Sequence, residues 1–342
     1  MQQQAPSLTL PRSTGRGDQS DIVLSVRDLQ VVFDTVHGRT HAVRGVSFDL
    51  PRGKTLALVG ESGSGKSVTS YSILRLIQKP GRISGGQILY KDKNGLTTDL
   101  VQLHDKSESL FKIRGGKISM IFQEPMTALS PVHTIGDQVT EAILLHRNVD
   151  KKQADDIAAD MLARVGITDV RRRLKQYPFE FSGGMRQRVV IAIALVCQPD
   201  ILIADEPTTA LDVTVQAQIL KLIAELKEQM GTSVLFITHD LGVVAQIADS
   251  VAVMKHGRIV ERSNARGLFK QPYHPYTKEL LAAVSFEAKT SAAAADCDSY
   301  VMPDGWQFDE PADAALVPQL HDAGESRHLL LWPNQMTQER SV

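Results

Sequence analysis

The chain has 342 residues, of which 42% are hydrophobic and 23% are charged, and its formal net charge is −1. This length can bury a sizeable core in one large domain or two modest ones. The near-neutral charge argues against a generally basic, nucleic-acid-binding protein, and no apolar run approaches the ~20 residues that a membrane-spanning helix needs.

Residues 1–20 are rich in Gln, Ser, Pro and Gly and lack apolar periodicity, so we expect a disordered tail there. This N-terminus shows no charged-then-apolar export signal. The two isolated cysteines, Cys197 and Cys297, define no disulfide framework or metal cluster. These features together fit a reducing cytoplasm.

A strand-rich region follows from residue 21. The apolar or alternating segments Ile22–Val26, Val31–Phe33 and Gly45–Leu50 predict short strands.

An eight-residue segment then matches the pattern G-x-x-x-x-G-K-[ST], which needs a strand before it and a helix after it. Its residues are Gly60, Glu61, Ser62, Gly63, Ser64, Gly65, Lys66 and Ser67. The apolar run Thr55–Val59 predicts the strand, and the helical spacing in Val68–Ile77 predicts the helix. The glycines let backbone N–H groups wrap a chain of phosphates, Lys66 suits the outer phosphates, and the Ser67 hydroxyl suits Mg²⁺. An unrelated Gly/Ser turn is the alternative, and the flanking strand and helix argue against it.

Two aromatic or imidazole side chains before this loop are candidates to stack on a nucleotide base. For Phe33 a buried position in a sheet is an equally good interpretation. His37 lies in a glycine-containing turn, where simple exposure is the plainer interpretation.

The next segment, Lys79–Gly116, is polar and contains Pro-Gly and Gly-Gly pairs, which predict surface hairpins and loops. Lys117–Gln123 predicts a strand, and the prolines of Glu124–Pro131 predict a loop. Gln123, at the strand end, could contact both Mg²⁺ and an attacking water. The alternative is a polar strand end that faces solvent.

Amphipathic patterns in Gly136–Leu145 and Lys151–Val165 predict a separate helical lobe, with Arg171–Arg173 on its solvated face. A further helix begins at Ser182, a good N-cap residue. Two glycines follow it, Gly183 and Gly184, and their free N–H groups make a second possible anion site. A helix cap without a ligand is the alternative.

Two later strands end in polar side chains. Ile201–Glu206 ends in Asp205 and Glu206, at the strand edge where open α/β sheets place ligands. Asp205 is a candidate to hold Mg²⁺ through water and Glu206 to polarise the attacking water; capping of the following helix is the alternative. Ser233–His239 ends in His239, which could bridge the γ-phosphate and the glutamate or serve as a structural cap.

Two further segments predict a helix and a hairpin. Val213–Met230 predicts a helix, and Ser250–Met254 with Gly257–Glu261 predicts a hairpin.

Taken together, these segments resemble the ATP-binding subunit of ABC transporters over about residues 22–284. In this resemblance Walker A is Gly60–Ser67, the Q-loop glutamine is Gln123, and the switch histidine is His239. The other motifs are the signature Ser182, Gly183, Gly184, Met185 and Arg186, the Walker B residues Asp205 and Glu206, and the D-loop Ala210, Leu211 and Asp212.

The resemblance implies an α/β fold of the P-loop NTPase class. A RecA-like parallel-sheet core carries an antiparallel β subdomain and a helical subdomain at about residues 124–185, all within a cassette at 21–270. A C-terminal extension at 271–342 completes the chain.

The family branch that the sequence resembles is the oligopeptide and dipeptide importers. Met185 replaces the commoner glutamine of the signature, but FSGGMRQR, residues 204–220 and Tyr273–Thr277 all look like that branch. Members often carry a cysteine cluster after this point that resembles an iron–sulfur ligand set. Here Cys297 stands alone, so we predict no cluster. The acidic tail from residue 286 is either partly loose or docks through its apolar residues, which are Trp306, Phe308, Leu329, Leu330, Leu331 and Trp332.

The resemblance also implies cofactors and roles. ATP, bound with Mg²⁺, lies between the phosphate loop of one subunit and the signature of another. Glu206, His239 and Gln123 are the implied catalytic residues, and Ser67, Gln123 and Asp205 are the implied metal site. The implied nucleotide contacts are residues 60–67, Phe33, Ser182, Gly183, Gly184, Met185 and Asp212.

The implied partners are a second ATP-binding subunit, like or unlike, two transmembrane permeases and, indirectly, an extracytoplasmic solute-binding protein, at the cytoplasmic face of the membrane. A soluble ABC protein of DNA repair or translation is the competing hypothesis. Repair relatives insert a long coiled coil between phosphate loop and signature, and translation relatives carry two cassettes; this chain shows neither. The cargo stays open among peptides, nickel, glutathione and opines.

Overall fold

A computed structural model of the chain describes residues 21–36, 38–124, 128–209, 211–287, 303, 306–308, 318–324 and 327–333. The expectations for residues 1–20, His37, Ala210 and Cys297 fall outside these ranges. The strands are β1 (Ile22–Thr35), β2 (Gly38–Pro51), β3 (Thr55–Val59), β4 (Gly81–Lys91), β5 (Thr97–Asp99), β6 (Ile118–Ile121), β7 (Ile201–Asp205), β8 (Ser233–Thr238), β9 (Ser250–Lys255), β10 (Arg258–Asn264), β11 (Trp306–Gln307), β12 (Gln319–Gly324) and β13 (Arg327–Pro333). The helices are α1 (Lys66–Ile73), α2 (Glu108–Ile113), α3 (Ile135–His146), α4 (Lys151–Arg164), α5 (Val170–Arg173), α6 (Gly183–Leu195), α7 (Val213–Met230), α8 (Leu241–Ile247), α9 (Ala265–Lys270) and α10 (Pro275–Glu287).

The first sheet is antiparallel, in the order β2-β1-β4-β5. The two strands predicted at 22–26 and 31–33 are one strand, β1. Asp28 adopts a left-handed φ of 45° between them, and the register shifts there, so the strand bends without ending.

The prediction that Lys79–Gly116 lies in surface hairpins and loops is confirmed for the hairpin of β4 and β5 but is wrong in placing all of β4 at the surface. β4 pairs with β1, and its Ile88 and Tyr90 are buried. The glycines in the first half of β4 favoured a loop, so the alternating strand pattern that follows them was not recognised.

The second sheet has a parallel centre in the order β9-β3-β8-β7-β6. β3, β7 and β8 are buried along their whole length, which is why they read as apolar runs in sequence. All the parallel strands end at one edge, so the segments after β3, β6, β7 and β8 meet there.

A helical lobe packs beside this centre. α3 and α4 bury one face each, with Val139 and Ile143 on α3 and Met161 and Leu162 on α4, in an apolar cluster that includes Val189 of α6. Both predicted helices are therefore confirmed within a residue at each end.

α1 ends earlier than predicted, at Ile73, where sequence spacing favoured a helix to Ile77. Arg75 takes a left-handed φ of 54°. The Arg114 guanidinium, distant in sequence, caps the helix end by donating to the carbonyls of Leu74 and Arg75, both at 2.7 Å.

The described part of the C-terminal tail extends the sheet. β13 pairs antiparallel with β10, and β12 and β11 pair with β13. Leu329, Leu331 and Trp332 are buried, so of the two alternatives for the tail, docking holds for this hairpin. None of the helices that the structure describes is both long and apolar enough to cross a bilayer.

Candidate active site

The phosphate-loop pattern lies between β3 and α1, as the sequence predicts. Gly60 and Gly65 have left-handed φ values of 153° and 103°. A Cβ added to Gly60 would lie 2.1 Å from the Met254 carbonyl oxygen, and one added to Gly65 would lie 2.6 Å from the Ala42 carbonyl oxygen. The tight turn and the close backbone approach therefore both require glycine.

Lys66 is the first residue of α1 and lies under this loop, with only 5% of its surface exposed. Its Nζ donates to the carbonyl oxygens of Gly60 and Glu61, both at 2.8 Å. Burial lowers the pKa of Lys66, and the negative charges of Glu206 and Asp205 oppose that shift. The ammonium is thus held at the loop by carbonyls and faces two carboxylates.

Asp205, at the end of β7, is completely buried beside the start of α1. Ser67 Oγ donates to its Oδ1 at 3.3 Å, and Ser70 Oγ to its Oδ2 at 3.5 Å. Burial, with a smaller contribution from Glu206, raises the pKa of Asp205 to about 6, against lowering effects of the Ser67 hydrogen bond and of Lys66. Two of the three predicted metal ligands therefore lie in direct contact.

The Glu206 carboxylate contacts polar side chains from three segments of the chain. Its Oε2 accepts from Gln123 Nε2 at 3.3 Å and from Thr209 Oγ1 at 3.1 Å, and its Oε1 lies 3.0 Å from His239 Nδ1. The structure thus brings together Gln123, Glu206 and His239. Sequence reasoning missed Thr209, although Pro207 signals a turn that can return a hydroxyl to the glutamate three residues earlier.

The backbone conformation of Glu206 is unusual, and its pKa is shifted. Its φ of 46° is a left-handed value in a residue that disfavours it, a form of strain that clusters at functional sites. Burial acts to raise the pKa of Glu206, but the interactions with His239, Thr209 and Lys66 together outweigh it and leave the pKa below its ordinary value. The glutamate is therefore ionised at neutral pH.

The signature segment begins α6. Ser182 is the N-cap, accepting from the Met185 N–H at 3.4 Å, and Gly183 makes no close approach that a Cβ would disturb. A Cβ on Gly184 would lie 3.1 Å from Val215 of α7.

A buried side chain that sequence reasoning missed, Gln187, ties this helix to the Walker B segment. It is fully buried, and its Nε2 donates to the Pro207 carbonyl, next to Glu206. The sequence signal that could have found it is its helical spacing, three and four residues before the apolar Val190 and Ile191 of the same helix.

Two residues predicted to contact the nucleotide, Asp212 and Phe33, also have structural roles in the chain. Asp212 is the N-cap of α7 and accepts from the Val215 N–H at 2.9 Å. Phe33 is half-buried in β1, and a Cβ on Gly81 would lie 2.6 Å from its ring. Stacking of Phe33 on adenine stays a prediction.

The fold and the loop together define a nucleotide-binding protein of the P-loop class. A family model described as ABC transporter matches residues 43–209. The dipeptide transport ATP-binding protein DppD of Bacillus subtilis (strain 168) is 57% identical over 77% of this chain and 76% of its own length. The oligopeptide transport ATP-binding protein OppD of the same organism is 52% identical over 77% of this chain and 72% of its own length.

Solved structures agree with these relatives. The dimeric ATP-binding cassette MJ0796 in a post-hydrolysis state, bound to ADP and Pi, has 26% identity and a TM-score of 0.62, covering 71% of this chain and 99% of that chain. The chain belongs to the ATP-binding proteins of ABC transporters, and it is an ATPase of that family. The predicted family and fold class are confirmed.

Proposed function

We propose that this chain is the ATP-hydrolysing subunit that drives a membrane importer of dipeptides or oligopeptides. The named relatives are transport ATP-binding proteins for those solutes. The observation that carries the hydrolytic part is the Glu206 carboxylate, ionised and bonded to Gln123, Thr209 and His239 at the edge of the sheet beside the phosphate loop.

In this proposal Glu206 polarises the water that attacks the γ-phosphate, because a carboxylate with a lowered pKa accepts a hydrogen bond from water at neutral pH. Gln123 and His239 hold the carboxylate from two sides, and His239, 62% exposed, can also reach a phosphate oxygen. Lys66 pairs with the outer phosphates. Apart from the Glu61 N–H, which donates to the Tyr276 hydroxyl, the N–H groups of residues 60–67 surround the rest of the phosphate chain.

Mg²⁺ fits the oxygens that this site offers. The Ser67 hydroxyl and the Asp205 carboxylate lie in contact at the loop, and such oxygens are ligands that Mg²⁺ prefers; Gln123 is the third proposed ligand. The raised pKa of Asp205 is that of a buried carboxylate with too little positive charge around it. Mg²⁺ at this position would neutralise charge on the phosphate oxygens.

A second ATP-binding subunit completes the proposed site. Within the described chain no hydrogen bond joins Ser182–Met185 to Gly60–Ser67, although both are helix starts of the kind that bind anions. The solved relatives of this fold include dimeric cassettes. We propose that the signature of each subunit covers the nucleotide on the phosphate loop of the other, with Asp212 near that contact.

The proposed place of the chain is the cytoplasmic face of the membrane, docked on two permease subunits through the Gln123–Pro131 loop and the helical lobe. A binding protein outside the membrane would deliver the solute. The permeases and the binding protein, and not this subunit, select the solute among peptides, nickel, glutathione and opines. A ligand screen on the partner binding protein decides among them.

Replacing Glu206 with Gln tests the hydrolytic proposal, because it keeps the shape of the side chain and removes its charge. The Glu206→Gln variant should bind ATP as the wild type does and lose hydrolysis by about 10²–10⁴-fold, the usual contribution of a positioned base. The measurements are ATP affinity and steady-state phosphate release.

Glu225→Gln, the same change on the surface of α7, is the matched control and should hydrolyse ATP normally. Normal hydrolysis by Glu206→Gln would remove Glu206 from the proposed role.

A further inference from the structure

One peptide unit of the phosphate loop is held from both ends. The peptide that joins Gly60 to Glu61 is planar, so its C=O and N–H turn together. Lys66 Nζ donates to the Gly60 oxygen at 2.8 Å. On the other side of the same peptide the Glu61 N–H donates to the Tyr276 hydroxyl oxygen at 3.0 Å. The orientation of this peptide is therefore coupled to the position of the Lys66 ammonium.

The side chain of Tyr276 is held in place by its surroundings. It lies in the first turn of α10, after the sheet of the cassette, and only 2% of its surface is exposed. Its ring packs in an apolar cluster with Val59, the last residue of β3. The Lys255 ammonium lies 4.6 Å from the ring centroid on its face, in cation–π contact.

A buried hydrogen-bond chain holds the segment that carries Tyr276. Glu261 on β10 is completely buried, and its two carboxylate oxygens accept from the N–H groups of Tyr273 at 3.1 Å and His274 at 3.0 Å. His274 Nδ1 in turn accepts from the Tyr276 N–H at 3.1 Å. Burial, and then the charge of Lys255, lower the pKa of His274 to about 4, so the ring is neutral and can accept.

The C-terminal hairpin contacts the same segment. Arg327 of β13 is 2% exposed and donates to the Gly267 carbonyl at 2.8 Å and to the Gln271 carbonyl. Its guanidinium also lies 4.5 Å from the centroid of the Tyr273 ring. The hairpin, the segment at 271–276 and the phosphate loop thus form one continuous set of contacts.

We propose that Tyr276 is a positioning residue for ATP binding: its hydroxyl fixes the Gly60–Glu61 peptide and thereby the Lys66 ammonium, so the C-terminal extension sets the affinity of the phosphate loop. This inference rests on the proposed role of Lys66 toward the phosphates. Tyr276 acts through the loop backbone, and none of its described contacts is with Glu206.

Tyr276→Phe removes only the hydroxyl and tests the inference in the full chain. A neutral hydrogen bond of this kind corresponds to up to about tenfold in an equilibrium constant. We expect the KM and the Kd for ATP to rise by about three- to tenfold, whereas kcat at saturating ATP changes less than about twofold, because the Glu206 group is untouched. A purely structural role would lower the unfolding temperature and leave KM unchanged.

Tyr90→Phe is the matched control. Tyr90 is a buried tyrosine whose hydroxyl donates to Asp200, away from the loop. It should lower the unfolding temperature without changing the KM or Kd for ATP. Equal Kd in wild type and Tyr276→Phe would overturn the inference.

Two further variants complete the test. Lys66→Ala should lose ATP binding whatever Tyr276 does; if it binds ATP normally, the proposed role of Lys66 fails. If Lys66→Ala loses binding and Tyr276→Phe does not, the inference alone fails. Arg327→Lys keeps Tyr276 and loosens the segment that carries it, so it should raise the Kd in the same direction, and an unchanged Kd would contradict the link to the extension.

Discussion

Asp205 and Glu206 are neighbours in sequence with opposite pKa shifts. Burial raises the pKa of Asp205 to about 6, whereas at Glu206 the contacts with His239, Thr209 and Lys66 together outweigh burial and lower the pKa. Environments that separate the pKa values of two carboxyl groups usually assign them different tasks. Here the arrangement suits Asp205 to a cation and Glu206 to a water.

The pKa of Asp205 predicts how the stability of the chain depends on pH. Its folded-state pKa of about 6 lies above the ordinary value of 3.8, so between those pH values the folded chain binds more protons than the unfolded chain. The free energy of unfolding should therefore fall as pH rises through this window, and the loss should persist above pH ~6. At 1.36 kcal/mol for each pKa unit, the full effect is at most ~3 kcal/mol.

Asp205→Asn should remove this penalty. Without Mg²⁺ at pH ~7.5, the free energy of unfolding of this variant should exceed that of the wild type by about 1–3 kcal/mol. This difference should disappear near pH ~4. Urea unfolding at several pH values measures this. Asp156→Asn, an exposed control on α4, should show no such trend. A gain for Asp205→Asn that does not vary with pH would contradict the assignment.

The polar residues of the site were predictable because each follows a buried strand. Gln123, Glu206 and His239 come after β6, β7 and β8. Because the carboxyl ends of parallel strands lie at one edge of the sheet, these three side chains lie close together. Three side chains at or beside the site were found only in the structure. Thr209 returns through a turn, Gln187 bonds to the Pro207 carbonyl, and Tyr276 reaches the loop from the far end of the chain.

The bounds of an element were predictable where the local sequence pattern sets them, and they were missed where residues distant in sequence set them. α7 matches its predicted bounds because its apolar spacing and its ends at Asp212 and Gly231 are local. α1 was predicted too long, because Arg114 terminates it from a segment whose approach no local pattern reveals.

The C-terminal hairpin offers a test of packing at the level of one strand. Leu331 is completely buried, whereas its neighbour Leu330 points to the other face of β13 and is half-buried. Leu331→Ala should lower the free energy of unfolding by about 2–5 kcal/mol. Leu330→Ala is the matched control and should cost about 1 kcal/mol. Equal losses, measured by urea unfolding, would show that this hairpin does not pack against β10 as described.

At the scale of the whole molecule, the phosphate loop, the acidic strand end and the C-terminal hairpin belong to one sheet. β13 pairs with β10, β10 with β9, and β9 with β3, the strand that leads into the loop. The extension is therefore connected to the nucleotide site through both the sheet and Tyr276. On the other side, Gln187 of the signature helix donates to the Pro207 carbonyl, next to Glu206.

The central claim is that two ATP-binding subunits share each nucleotide. It is tested most directly by a structure of the Glu206→Gln variant in its membrane complex, prepared with Mg²⁺ and ATP. We predict Ser182–Met185 within hydrogen-bond distance of a nucleotide whose phosphates lie in the loop of the other subunit. A structure in which these four residues contact no nucleotide, in any pairing of subunits, would contradict the claim.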